Sequence, residues 1–177
     1  MELTPNQLAF REGMSRMGAG VNLITSNGNS GRHGFVASAV CSVTDTPPTL
    51  LVCVNRNAFV HDRFLENGAL CVNVLAAHHQ DLSRVFARYV EGVDRFSYGD
   101  WLTLSTGSPV LRDANVAFDC RIGSVLEQGS HSVMFCEIKA VHLPEKPDRG
   151  LVYFSRDYHH LEAEKPRGDN LSEASKA

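Results

Sequence analysis

The stretch from Val40 to Asn55, VCSVTDTPPTLLVCVN, constrains the fold more than any other part of the chain. Two apolar, β-branched runs flank Asp45-Thr46-Pro47-Pro48. Each run is too short for a buried helix and rich in residues that suit a pleated surface. Proline has no N–H, so Pro47 and Pro48 belong where a ladder hydrogen bond is not needed. The stretch is predicted to be two strands joined by a proline turn. It holds two cysteines, Cys41 and Cys53, and ends on an amide, Asn55.

The same pattern recurs along the chain. GVNLITS, a turn at NGNSG and HGFVASAV predict a hairpin. ALCVNVL is a further strand, and NVAFDCRIGSVLEQ and HSVMFCEIKAVHL form a second hairpin turning at Gly129. After a Pro-rich turn at PEKPDRG comes LVYFS. Three helices interrupt the strands. Thr4 caps the first, with Pro5 at its first position, Gln7 completing a capping box, and Leu8, Met14 and Met17 on an apolar face. The second is expected over Asn57–Asn67, capped by Asn57, with Phe59, Val60 and Phe64 on one face and Gly68 as terminator. The third is HHQDLSRVFARYV, with Leu82, Val85, Phe86 and Tyr89 spaced for burial. Glu91 to Pro109 reads as irregular loop. Strands linked mostly by hairpins predict a mainly β fold with short helices, an antiparallel barrel of one domain over 1–161 and a polar tail over 162–177. With no βαβ alternation and no GxGxxG after a strand, a Rossmann domain is not expected.

Several functions are excluded by composition. A net charge of −3 over 177 residues gives no basic face for nucleic acid. No secretory signal opens the chain, and no apolar run approaches the roughly 20 residues that span a bilayer. Five cysteines at 41, 53, 71, 120 and 136 form no CxxC pair and sit in apolar segments, as expected of a reduced, cytoplasmic core. His78-His79 and His159-His160 are adjacent pairs, and neighbours on a helix or strand diverge, so no metal is expected. No cysteine has a basic neighbourhood suited to a nucleophile, and no GxSxG elbow occurs. What remains is a set of small and amide residues at strand ends: Ala37, Ser38, Ser42, Asn55 and Asn73. Small side chains let a flat ligand approach the backbone, and amides can read a heterocycle edge. Both asparagines can equally serve as turn residues bonding their own backbone.

The segments VASAVCSVTDTPPTLLVCVNRNA, GALCVNVLAAHHQDLSRVFA and LVYFSRDYHHL together resemble the flavin reductase family, over roughly residues 7 to 161. The likeness is strongest to the reductase components of two-component aromatic monooxygenases, such as those acting on 4-hydroxyphenylacetate or chlorophenols. The resemblance implies an antiparallel Greek-key split β-barrel, a homodimer, and reduction of FAD or FMN by NADH, with FAD favoured. It also implies that reduced flavin passes to a separate oxygenase that hydroxylates a phenol. By position, it assigns flavin contacts to Val36, Ala37, Ser38, Ala39, Cys41 and Ser42. Further flavin contacts are Cys53, Val54, Asn55, Asn57 and Phe59, with Cys71 and Asn73 completing the pocket. The serines common in related sequences are replaced by Asn57-Ala58-Phe59, leaving backbone amides with Arg56 or Arg63 for phosphate. His131 of Gly129-Ser130-His131, with Arg156, Tyr158 and His159, is assigned to NADH, and Tyr153 belongs to the same closing segment. No side chain is assigned a catalytic role, because the cofactors themselves carry the chemistry. Other readings are a non-catalytic FMN-binding barrel, an oxidase acting on a vitamin B6 phosphate and a barrel interaction module. The second would need a denser basic cluster than the sequence carries.

Overall fold

The computed structural model describes residues 3–88, 92–146 and 148–162. Its first helix, α1 (Pro5–Ser15), starts as the sequence dictates: Thr4 Oγ1 accepts from the Gln7 N–H, and the Gln7 side chain accepts from the Thr4 N–H. Five strands follow, β1 (Ala19–Gly20), β2 (Asn22–Ser26), β3 (His33–Ala37), β4 (Val40–Asp45) and β5 (Pro48–Asn55). Then come α2 (His61–Asn67), β6 (Ala69–Val74), a 3₁₀ turn at Ala77–His79 and α3 (Gln80–Ala87). The remaining strands are β7 (Trp101–Thr103), β8 (Pro109–Leu111), β9 (Val116–Gln128), β10 (His131–His142), β11 (Gly150–Phe154) and β12 (Asp157–Leu161).

Seven strands form one antiparallel sheet in the order β3-β2-β6-β9-β10-β5-β4. β3 and β4 are its opposite edges, yet only residues 38 and 39 separate them in the chain. Such a link spans about 10 Å. The sheet must therefore curl until its edges nearly meet, and among the described residues no ladder joins them. The result is an antiparallel barrel split between β3 and β4. A small sheet, β1-β11-β12, lies beside it, and β7 pairs with β8.

The barrel interior is filled by Ile24, Val52, Val54, Phe64, Leu70 and Met134. A second core, outside the barrel, gathers Leu23, Leu75, Phe86, Leu111 and Leu151. Burying each such side chain contributes about 1.5–3 kcal/mol. β2 and most of β6 sit between the two cores and are buried on both faces. Ala69–Val72 of β6 reads as an unbroken apolar run, while β2 buries Asn22, Thr25 and Ser26 by donating to the Ala37, Pro109 and Ala69 carbonyls. Gly34 on β3 lets α3 pack closely: a Cβ there would stand 2.9 Å from the Phe86 ring.

Several expectations need correction. HGFVASAV is not one strand, since the chain turns at Ser38 and continues as β4. α2 begins at His61 rather than Asn57, because Asn55 Oδ1 accepts from the Asn57 N–H and a turn occupies the predicted first helical positions. Its terminator holds, with Gly68 at φ 65°. The predicted loop before Pro109 contains β7, and Pro109 itself opens β8. No residue of α1 is buried among the described residues: Leu8, Phe10 and Met14 are exposed, and Met17 lies past the helix. β12 was not expected, because its hairpin turns on Ser155 and Arg156, at φ 51° and 63°, instead of an Asn-Gly pair. Tyr89 and the tail beyond Glu162 lie outside the described residues.

Candidate functional site

The split in the barrel organises the site. Where β3 hands over to β4, the side chains are small (Ala37, Ser38, Ala39), and the edge backbone is open to a flat ligand. A cleft of about 270 Å³ opens here, lined by Val36, Ala37 and Ser38 on one side and Tyr153 and Tyr158 on the other. Val21 and Ala87 complete it. The two tyrosine rings meet edge to face at 5.3 Å. The Tyr158 hydroxyl lies 2.9 Å from Ser83 Oγ on α3, which fixes the ring against the helix. Residues 36–38 and Tyr158 are far apart in sequence and were assigned to different ligands, and the fold sets them across one cleft.

A second, more polar cleft of about 470 Å³ lies at the far end of β5. Arg56, Asn57, His61, Asp62, Glu127 and Ser130 line it. Arg56 pairs with Glu127 at 2.8 Å, and its N–H donates to the Ser130 carbonyl. Asn55 and His131 stand opposite each other in the β5–β10 register. His61 is buried, with Nε2 at 2.9 Å from Ser132 Oγ and Nδ1 at 2.7 Å from Asp62. The two clefts are linked along β5, since the Cys53 N–H donates to the Ala39 carbonyl and Asn55 follows two residues on.

Other assigned residues fall elsewhere. Asn73 is fully buried: it donates to the Leu23 carbonyl and Thr25 Oγ1 and accepts from the Leu111 N–H. Its amide has no capacity left for a ligand, so its assignment to the pocket is corrected, and that of the fully buried Cys71 with it. Val54 points into the barrel core. Cys41 and Ser42 are exposed on the β4 edge strand. Phe59 stacks under the Arg63 guanidinium at 3.6 Å and meets His33, in a cleft shared with Arg32. Alternation along β12 turns His159 to the face opposite Tyr158, where its ring contacts the Phe154 carbonyl. His160, on the Tyr158 face, reaches Gln80 of α3. Arg156 is held by Glu12 of α1 at 2.7 Å.

The sequence reading left out Val21, Ala87 and Ser83. Ser83 carried a signal, being a polar residue within the apolar stripe of α3. All five cysteines are free. Burial raises the thiol pKa of Cys53, raises that of Cys71 well above the usual range and pushes Cys136 up to about 12, so these are walls and not nucleophiles.

Residues 14–162 match the family described as flavin reductase like domain. The chain belongs to this flavin reductase family. It is 54% identical over 153 residues to the FMN reductase (NADH) RutF of Acinetobacter baylyi, a match covering 86% of this chain and 81% of that protein. Among solved structures, it superposes on the NADH:FAD oxidoreductase SgcE6 of Streptomyces globisporus with a TM-score of 0.83. That match has 25% identity over 92% of this chain and 98% of the other. BorF, the flavin reductase component of a bacterial two-component tryptophan halogenase, gives a TM-score of 0.81 at 29% identity, over 89% of this chain and 99% of BorF. The split-barrel expectation is thus met by fold neighbours as well as by strand order. No helix among the described residues is long and apolar enough to cross a membrane.

Proposed function

We propose that this flavin reductase oxidises NADH and reduces a freely exchanging flavin, with FMN preferred. The observation that carries the reading is the cleft at the barrel split, where the small residues Val36 to Ser38 face Tyr153 and Tyr158. Small side chains and an open strand edge suit a flat ring, and an aromatic wall suits a second ring stacked on it. When bound, the pair supplies the chemistry: hydride passes from nicotinamide C4 to flavin N5, and a proton from solvent completes the reduction. The protein's part is to hold two rings face to face at about 3–3.5 Å. Ala37, Ser38 and Ala39 leave room for that stack, and Ser83 fixes Tyr158. The polar cleft around Arg56 and Asn57 suits the flavin's phosphate end.

The choice of FMN revises the FAD preference of the sequence reading, because relatives named FMN reductase (NADH) share about half of the sequence. Both clefts are open, and at about 270 and 470 Å³ neither exceeds the lower half of the usual ~300–1,000 Å³ range, as suits a flavin that leaves after reduction. Its destination is a separate flavin-using component, a role supported by the likeness to BorF, the reductase component of a two-component halogenase. An oxygenase in that place follows the sequence resemblance. A phenol hydroxylase as that partner rests on the sequence resemblance alone. We assign the activity to residues 1–161, acting as a homodimer in the cytoplasm. The exposed Phe10 and Met14 of α1 suit such an interface, and five free cysteines suit a reducing compartment.

Steady-state oxidation of NADH and NADPH with FMN, FAD and riboflavin tests the reading. NADH oxidation that depends on added flavin, fastest with FMN, is expected. Turnover without flavin, or none with any flavin, overturns it. A non-catalytic FMN carrier would bind flavin and leave NADH untouched in the same assay.

A further inference from the structure

His78, His79 and Asp113 form a cluster that flavin reduction leaves unused. Adjacent histidines were expected to diverge, but these two sit on the 3₁₀ turn Ala77–His79, with ring centroids 3.9 Å apart. Asp113 reaches both: His78 Nε2 lies 3.1 Å from Oδ2 and His79 Nε2 lies 3.0 Å from Oδ1. One ligand atom from each of the three residues falls within 4.8 Å of the others. A tetrahedral zinc ion with bonds of about 2.0–2.1 Å separates its ligands by roughly 3.3 Å. The two nitrogen-to-carboxylate distances already match that spacing, while the 4.8 Å limit on the set as a whole requires the three side chains to draw in around an ion. His78 Nδ1 faces Asp148 Oδ2 at 2.8 Å, and a carboxylate on the far nitrogen is the usual orienting partner of a metal-bound imidazole. His79 is 5% exposed, and its Nε2 is buried without an aligned hydrogen bond, even to the nearby carboxylate. Buried polar atoms left in this state are uncommon in proteins.

We propose that His78, His79 and Asp113 form a binding site for a divalent transition metal, with zinc the best match. Two imidazoles and one carboxylate with an open fourth position suit zinc, whereas magnesium and calcium prefer oxygen ligands. One contact opposes binding. His79 Nδ1 accepts from the Ala76 N–H at 3.1 Å, and coordination through Nε2 moves the ring proton to Nδ1, against that amide. Metal binding therefore gives up this hydrogen bond, and the site is weaker than one built without the conflict. The ion ties the turn before α3 to the loop after β8, and through Asp148 to the segment before β11. The Ala77 N–H already donates to the Arg149 carbonyl there. β11 carries Tyr153, so occupancy stiffens the aromatic wall of the first cleft.

The test uses tag-free full-length chain stripped with a chelator and titrated calorimetrically with zinc, with neither flavin nor NADH present. One ion per chain is expected, with a melting temperature that rises with zinc concentration. His78→Gln and Asp113→Asn change exposed side chains, and each should weaken binding about tenfold or more, as should Asp148→Asn. Cys41→Ser should bind as the unaltered protein does. Cobalt in place of zinc should give tetrahedral d–d absorption without a thiolate charge-transfer band. The proposal fails if no saturable zinc binding is seen, or if a thiolate band appears. It fails equally if His78→Gln and Asp113→Asn bind at full strength, which would leave the cluster a hydrogen-bond network between His78 and two aspartates.

Discussion

Replacing Asn73 with alanine leaves the buried Leu111 N–H without its acceptor, so the variant should lose about 1–3 kcal/mol of stability. Denaturant melts check the loss. The KM for flavin should stay unchanged, and a raised KM at full stability would return Asn73 to the site. Ser38→Trp should do the reverse, filling the cleft at the split, cutting turnover and leaving the melting temperature nearly unaltered. Full activity of that variant would remove the link from the site. The chain uses the same Cys-Val-Asn twice, at 53–55 and 71–73, to different ends. Asn55 is exposed at the end of β5, and Asn73 is sealed inside β6, with Val74 still to come. The repeat is legible in the sequence, but burial is not: it depends on β2, β8 and β9 closing over Asn73. Turn chemistry was legible at Asn55, where one of the two readings was an amide bonding its own backbone, here the N–H of Asn57.

At the scale of elements, Gly34→Val should push Phe86 and α3 away from β3. Overpacking of this kind costs about 1–3 kcal/mol. Because α3 holds Tyr158 through Ser83, the KM for NADH should rise with it, and steady-state kinetics beside a thermal melt will show whether the two move together. α1 is tied to the β11–β12 turn by Arg156–Glu12 and by the Ser155 N–H donating to the Ser15 carbonyl. Hydrogen bonds from Arg156 and then Arg16 hold the Glu12 carboxyl below its ordinary range. A lowered folded pKa stabilises above the unfolded value and is lost as pH falls through the folded one, so the tether persists at neutral pH and releases only in acid below the ordinary glutamate range. Any difference in melting temperature between Arg156→Ala and the unaltered protein should therefore be small, since the pair is exposed, and should vanish in acid. Hairpins with glycine or proline turns were legible from sequence. The β11–β12 hairpin was not, because Ser155 and Arg156 adopt left-handed backbone without the residues that normally announce it. The histidine turn was also hidden: its 3₁₀ geometry shares no period with helix or strand.

For the whole molecule, the antiparallel barrel could be read from chain order, because hairpins and the absence of βαβ units leave few topologies. The position of its opening could not, since that depends on which strands become edges. The apolar residues left exposed on α1 call for cover, and light scattering should find a dimer that Phe10→Glu weakens. A monomer at micromolar concentration would refute that assembly.

The near meeting of β3 and β4 also separates two properties that most enzymes entangle. One wall of the cleft ends in an exposed dipeptide at an unzipped seam, while cohesion comes from side chains on the inner and outer faces of β2 and β6. With flavin bound there as proposed, substitutions at the exposed Ser38 and Ala39 can alter selectivity among flavins of different bulk with little thermodynamic penalty, and a laboratory selection at these two positions has room to retune the reductase without first having to rescue its fold.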